Sequence, residues 1–214
     1  MRTHRLLGWT LAAAVLAGAA HAAPLTHAQA LAALSGADTS TRLAGVDRLA
    51  EIGTMSDANR LFDRLRDSDA QVRELSSLAL WRIWSRSGDA AIDRLFAAGV
   101  EQMRSSAYDD ALATFSTIVR RKPAFAEGWN KRATLYFMLG QFEKSLQDCD
   151  EVLKRNPHHF GALSGAGQIH LQLGNLRSAL DYFRRAVDAN PNLEGPAQII
   201  PMLEERLRDD PNRT

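Results

Sequence analysis

A single cysteine, Cys149, stands in the 214 residues. No intramolecular disulfide can form, so stability has to come from packing. Charge of one sign is lacking too. With 26 Lys and Arg against 25 Asp and Glu, bulk charge offers nothing to attract nucleic acid. The hydrolase order of Ser, His and Asp, the phosphate-loop lysine and zinc-ligand spacing are all missing. No catalytic residue, cofactor or metal site is therefore expected. A long apolar run occurs once, at Leu6 to Ala20, behind Arg2 and Arg5 and ahead of the small-x-small triplet Ala20-His21-Ala22. Its length falls short of the roughly 20 residues that cross a bilayer. Residues 1–22 read as a secretory signal peptide cut after Ala22 or nearby; left uncut, the segment would be the chain's only membrane contact. No cysteine follows it to accept a lipid. Cleavage removes two basic residues and no acids, leaving a formal charge of −1.

What is there is a period. Pro123, Pro157 and Pro191 are 34 residues apart, and the same step links Gly99, Ala133 and Gly167, then Phe115, Cys149 and Phe183. Ala111, Ser145 and Ala179 keep it, as do Tyr108, Phe142 and Leu176. Each unit predicts two amphipathic helices, in the middle copy Glu127 to Leu139 and Phe142 to Lys154. Asn156-Pro157 then stops the second, because proline disfavours helix in the residue before it. Small residues at Ala133 and Ser145 mark the closest crossing of the pair. Such a pair cannot bury its apolar face alone, so the units must stack.

The stretch WNKRATLYFMLGQFEKSLQDCDEVLKRNP resembles a tetratricopeptide repeat (TPR), with Trp129, Tyr136, Gly140, Phe142, Leu146 and Pro157 in that motif's places. Arg132 departs from it, standing where the repeat usually has leucine; Asp148, Asp150 and solvent are its possible partners. The resemblance implies three units, 92–125, 126–159 and 160–193, and a concave groove lined by each unit's first helix, where proteins of this family bind peptides or other proteins. On that register the groove takes Phe96, Val100, Met103 and Arg104, then Glu127, Asn130, Thr134, Phe137 and Met138, then Ser164, Gln168, Leu171 and Gln172. Some members clamp a terminal carboxylate with lysine and asparagine. Phe96, Val100 and Gly165 stand where that clamp needs polar groups, so it is not expected.

The first half predicts further helix pairs. Asp38, Arg42, Leu49 and Ile52 return 31 residues later as Asp69, Arg73, Leu80 and Ile83. Residues 28–91 resemble a HEAT-like segment, expected to run into the second array as one superhelix. Ser56 and Asp89 read as helix starts, Gly53 and Gly88 as stops. Trp84 is expected in the core; Trp81 is an exposed anchor or packs on the preceding helix. Residues 194–210 read as a capping helix whose regular part Pro201 delays to about Met202, and 211–214 as a disordered tail. The fold class expected is an all-α, right-handed helical-repeat solenoid.

Residues 158–167, HHFGALSGAG, mimic a phosphate loop beside a metal site. The register makes them the start of a first helix instead, with Gly167 at the crossing and Gly161 and Gly165 left without a packing reason. Cys149 reads as a buried small residue, His170 as an inward replacement for tyrosine, and Asp148, Asp150 and Glu151 as a solvated face. The chain is expected to be an exported interaction module, periplasmic or secreted, in a Gram-negative bacterium, with a protein or peptide anchored on Phe137, Met138 and Leu171. An accessory subunit of an envelope enzyme and a self-assembling envelope protein are the alternatives.

Overall fold

The computed structural model describes residues 23–209. The expected signal segment and tail lie outside them. Among the described residues the chain is helical throughout, without a strand. An N-terminal bundle is built from α1 (His27–Ala33), α2 (Thr39–Ile52), α3 (Ala58–Arg64) and α4 (Ala70–Trp84). Three pairs follow: α5 (Ala90–Arg104) with α6 (Tyr108–Arg121), α7 (Ala126–Met138) with α8 (Phe142–Arg155), and α9 (Phe160–Gln172) with α10 (Leu176–Ala189). Helix α11 (Glu194–Asp209) closes the end on α10.

The 31-residue recurrence has a physical cause. Asp38 accepts the backbone N–H of Thr41, and Asp69 those of Gln71 and Val72, so each caps its helix. The arginine four residues on turns back over that cap. Arg42 donates to the carbonyls of Gly36 and Ala37, and Arg73 to those of Asp67 and Ser68. Asp89 caps α5 in the same way. The start expected at Ser56 belongs instead to a single 3-10 turn, Met55–Asp57, in which Asp57 accepts the N–H of Thr54; α3 begins at Ala58.

The 34-residue step is as physical. Helices α7 and α9 end on Gly140 and Gly174 at φ 69° and 78°; Ser106 holds that position after α5 at φ 61°. A left-handed backbone costs a side-chain-bearing residue roughly 1–2 kcal/mol. Where the pairs cross, the facing residues covary in size. A Cβ on Gly99 would meet the Phe115 ring at 2.7 Å, and one on Gly167 the Phe183 ring at 2.8 Å. In the middle pair the aromatic is replaced by Cys149, and there Ala133 keeps its methyl group.

The bundle does not prolong the superhelix, which corrects the expectation above. Helix α4 does not stack alongside α5. It lies across the edge of the array where each second helix turns into the next first helix. Arg73 donates to Asn192, Asn190 donates to Ser77, and Asn192 donates to the carbonyl of Leu65. Phe160, Leu163, Ala186 and Ala189 join Leu80, Ile83 and Trp84 in one buried core. The start of α9 and the end of α10 thus present apolar surface that the bundle covers. Pro201 does not delay α11, which is helical from Glu194. Proline withholds a single N–H, while Ile199, Ile200 and Leu203 keep the helix on α10.

Candidate functional site

The first helices α7 and α9, with the beginning of α11, enclose a cavity of about 320 Å³. Asn130, Thr134 and Phe137 come from α7, Ser164, Gly165 and Gln168 from α9, and Pro196 and Ile199 from α11. Its floor reaches Ala133, Ser145 and Cys149. Cys149, which replaces the aromatic of the neighbouring pairs, lines the cavity, and the smaller side chain leaves room there. Ser145 donates to the carbonyl of Ala133 at 2.7 Å and fixes the crossing. No charged residue lines the space. The Thr134 hydroxyl is spent on the carbonyl of Asn130. The side chains of Ser164 and Gln168 make no hydrogen bond among the described residues and are half-buried, leaving their polar atoms for a ligand.

The structure thus gathers five of the expected groove residues: Asn130, Thr134, Phe137, Ser164 and Gln168. The others lie elsewhere. Phe96 is withdrawn into the core, its ring 5.8 Å from that of Phe115 and 5.4 Å from that of Phe125, and Met103 packs on the same cluster. The reason is Gly99, whose missing side chain lets Phe115 rise to meet Phe96. Arg104 is exposed and paired with Glu101. Leu171 is packed with the α10–α11 cluster. Met138 is exposed but outside the cavity.

Sequence reasoning missed the polar cluster beneath one end of the groove. Glu127 is fully buried. Its carboxylate accepts from His159 Nε2 at 2.9 Å and from Asn130 Nδ2 at 3.1 Å, and pairs with Lys131 Nζ at 3.0 Å. His159 Nδ1 accepts the N–H of Ala162, capping α9 and placing the ring proton on Nε2. Burial pushes the Glu127 carboxyl upward, but the His159 hydrogen bond and the Lys131 ammonium outweigh it and hold the group below its ordinary value. Trp84 stacks on His159 at 4.3 Å, Trp81 meets it edge-on, and Lys131 lies 5.6 Å from the Trp81 ring. Trp81 therefore packs on the start of α9. The available signal was the position of both groups at the starts of neighbouring first helices.

Gly161 now has a packing reason: a Cβ there would meet Trp81 at 2.4 Å. Gly165 has none, since its Cβ would find only Cys149 Sγ at 3.9 Å. Gly165→Ala should raise stability by roughly 0.4–1 kcal/mol, read from the urea midpoint, while narrowing the cavity. Arg132 resolves onto Asp148, with two bonds of 2.7 and 2.8 Å. His158 packs edge-on to Phe62, away from His159, and His170 stacks on Tyr182. Burial pushes the Cys149 thiol up to about 12, far from a nucleophile's range. Among the described residues no three His, Cys, Asp or Glu converge as metal ligands, and no helix is long and apolar enough to cross a membrane.

Comparison with known proteins agrees with the array. The tetratricopeptide repeat family pattern matches residues 96–157 and 139–194. A TPR repeat-containing protein of Rhizobium etli is 37% identical over 134 residues, 61% of this chain and 63% of its own length. The small glutamine-rich tetratricopeptide repeat-containing protein of Dictyostelium discoideum is 29% identical over 51% of this chain and 34% of its own. The chain thus spans less than two thirds of these relatives. Among solved structures, the first TPR of Spaghetti (RPAP3) bound to an HSP90 peptide superposes with a TM-score of 0.53 at 21% identity, over 55% of this chain and 93% of the other. Residues 96–194 are thus tetratricopeptide repeats, lying in the part of the chain that follows the bundle.

Proposed function

We propose that the chain is an exported, non-enzymatic adaptor that holds an uncharged, apolar-anchored segment of a partner protein in the cavity between α7, α9 and α11. The observation that carries this reading is the uncharged cavity over Cys149, with Phe137 and Ile199 as walls and Ser164 and Gln168 as free polar groups. An extended or helical segment with one or two apolar anchors fits such a space, whereas an acidic terminus would find no cation there. That the structural relative carries a bound peptide supports the class of ligand. Residues 1–22, read as a signal peptide, support export to the envelope.

The size covariation supplies the test. Ala133→Gly with Cys149→Phe reproduces the pairing of the two flanking units and should fill the cavity floor without unfolding the array. A photo-crosslinking side chain at Gln168 of the full-length chain should give a discrete adduct in cells, lost in the double variant and not obtained from the outer-face position Glu205. Adducts that survive the filled floor, or that form equally at Glu205, would remove the groove from the mechanism.

A further inference from the structure

A second cavity, of about 330 Å³, lies where the bundle meets the edge of the array, between the α4–α5 connection, the α6–α7 connection and the end of α8. Its chemistry is opposite to that of the groove. Arg86, Lys122 and Arg155 line it, and no Asp or Glu does. Arg155 is neutralised by Glu151, with its Nη1 2.6 Å from Oε2. Arg86 donates once from Nη1 to the carbonyl of Ala50 and once from Nη2 to that of Gly53, and has no ion pair among the described residues. Lys122 has neither a hydrogen bond nor an ion pair among them; Asp89 and Asp93 are acids nearby, outside the lining.

Two further observations point to a ligand. Trp84 and Asn156 both line this cavity and are only 4% and 6% exposed, and the indole Nε1 and the amide Nδ2 have no hydrogen-bond partner. Buried donors are rarely left unpaired, and two in one wall mark a place that lacks an acceptor. Helix α7 also starts in this wall, at Ala126, with no side chain capping it, so its first N–H groups face outward with the positive end of the helix dipole. Met55, Phe125 and the face of Trp84 make the rest apolar. The volume is at the small end of ligand pockets.

We infer that this junction is a binding site for a small molecule carrying one oxyanion, phosphate or carboxylate, on an apolar or aromatic body. The oxyanion sits against Lys122, Arg86 and the start of α7, and the body against Met55 and Phe125. Such a ligand touches both the bundle and the array, so it fastens one to the other.

Phenyl phosphate and inorganic phosphate, titrated calorimetrically into the chain from residue 23 onward at fixed ionic strength, test the assignment. Phenyl phosphate should bind saturably and about tenfold or more tightly than inorganic phosphate, because only the first fills the apolar part. Lys122→Gln, which removes no hydrogen bond or ion pair among the described residues, should weaken it by about tenfold, as expected for losing one charge-assisted hydrogen bond. Lys144→Gln, remote from the cavity, should leave it unchanged. Absence of saturable binding, equal affinity for the two anions, or equal loss in both variants would overturn the assignment.

Discussion

Glu127→Ala should lower the stability of the chain by about 3–5 kcal/mol, the usual consequence of removing one partner from a buried charged pair. The carboxylate is fully buried and serves His159, Lys131 and Asn130 together. Its loss leaves the Nε2–H of His159 without an acceptor between α7 and Trp84. The pH dependence has a definite sign. A carboxyl whose folded value lies below its ordinary value of 4.5 contributes stability that is complete above that value. The contribution disappears as pH falls through the lower folded value. Urea midpoints of wild type and variant should therefore differ fully at neutral pH and converge in acid. A gap that stays constant through pH 4.5 would show that folding does not lower the Glu127 carboxyl, and one that widens as pH falls from neutral would show that it is protonated in the fold.

The same network shows where sequence reading reached and where it stopped. The three helix pairs, their stops at Pro123, Pro157 and Pro191 and the crossing residues Gly99, Ala133 and Gly167 were legible because each rests on contacts inside one 34-residue unit. That five residues share the lining of the cavity between α7, α9 and α11 also follows from the register. The place of Phe96 does not, because register gives the face of a helix and not the depth of a side chain, which the missing Cβ of Gly99 decides. Gly161 was opaque for a different reason. Its partner, Trp81, lies on a helix of the other half, and no periodicity relates the two. The same holds for the bundle as a whole. Its caps and internal pairs are local and were readable, whereas its placement across the array depends on Trp81 and Trp84 meeting His159 and Phe160, a match of surfaces that leaves no repeat in the sequence. Pro201 does not interrupt α11, because the contacts of Ile199, Ile200 and Leu203 hold the turn around it.

Phe160→Ala should be the most damaging truncation in the array, at about 3–5 kcal/mol, and its effect should cross from one half to the other. The ring is 2% exposed and lies 4.9 Å from Trp84 and 5.4 Å from Trp81. It is the aromatic residue that α9 contributes to the bundle's core. Phe115 is as deeply buried, but in a separate cluster formed by α5, α6 and α7. Phe115→Ala is therefore the matched comparison. It deletes the same side chain without touching the bundle. Native-state hydrogen exchange distinguishes the two. In Phe160→Ala the amides of α4, Ala70–Trp84, should lose protection along with those of α9; in Phe115→Ala α4 should lose less than α5 and α6. If α4 loses protection equally in both variants, the bundle and the array open as one unit and Phe160 is no special clamp. If α4 keeps its protection in Phe160→Ala, the hydrogen bonds of Arg73, Asn190 and Asn192 hold the bundle in place without the aromatic contact. The expected asymmetry follows from the arrangement of the core. The bundle's buried residues continue into α9 and α10 but not into α5 and α6, so disturbance at the third unit reaches the bundle's core directly, while disturbance at the first does not.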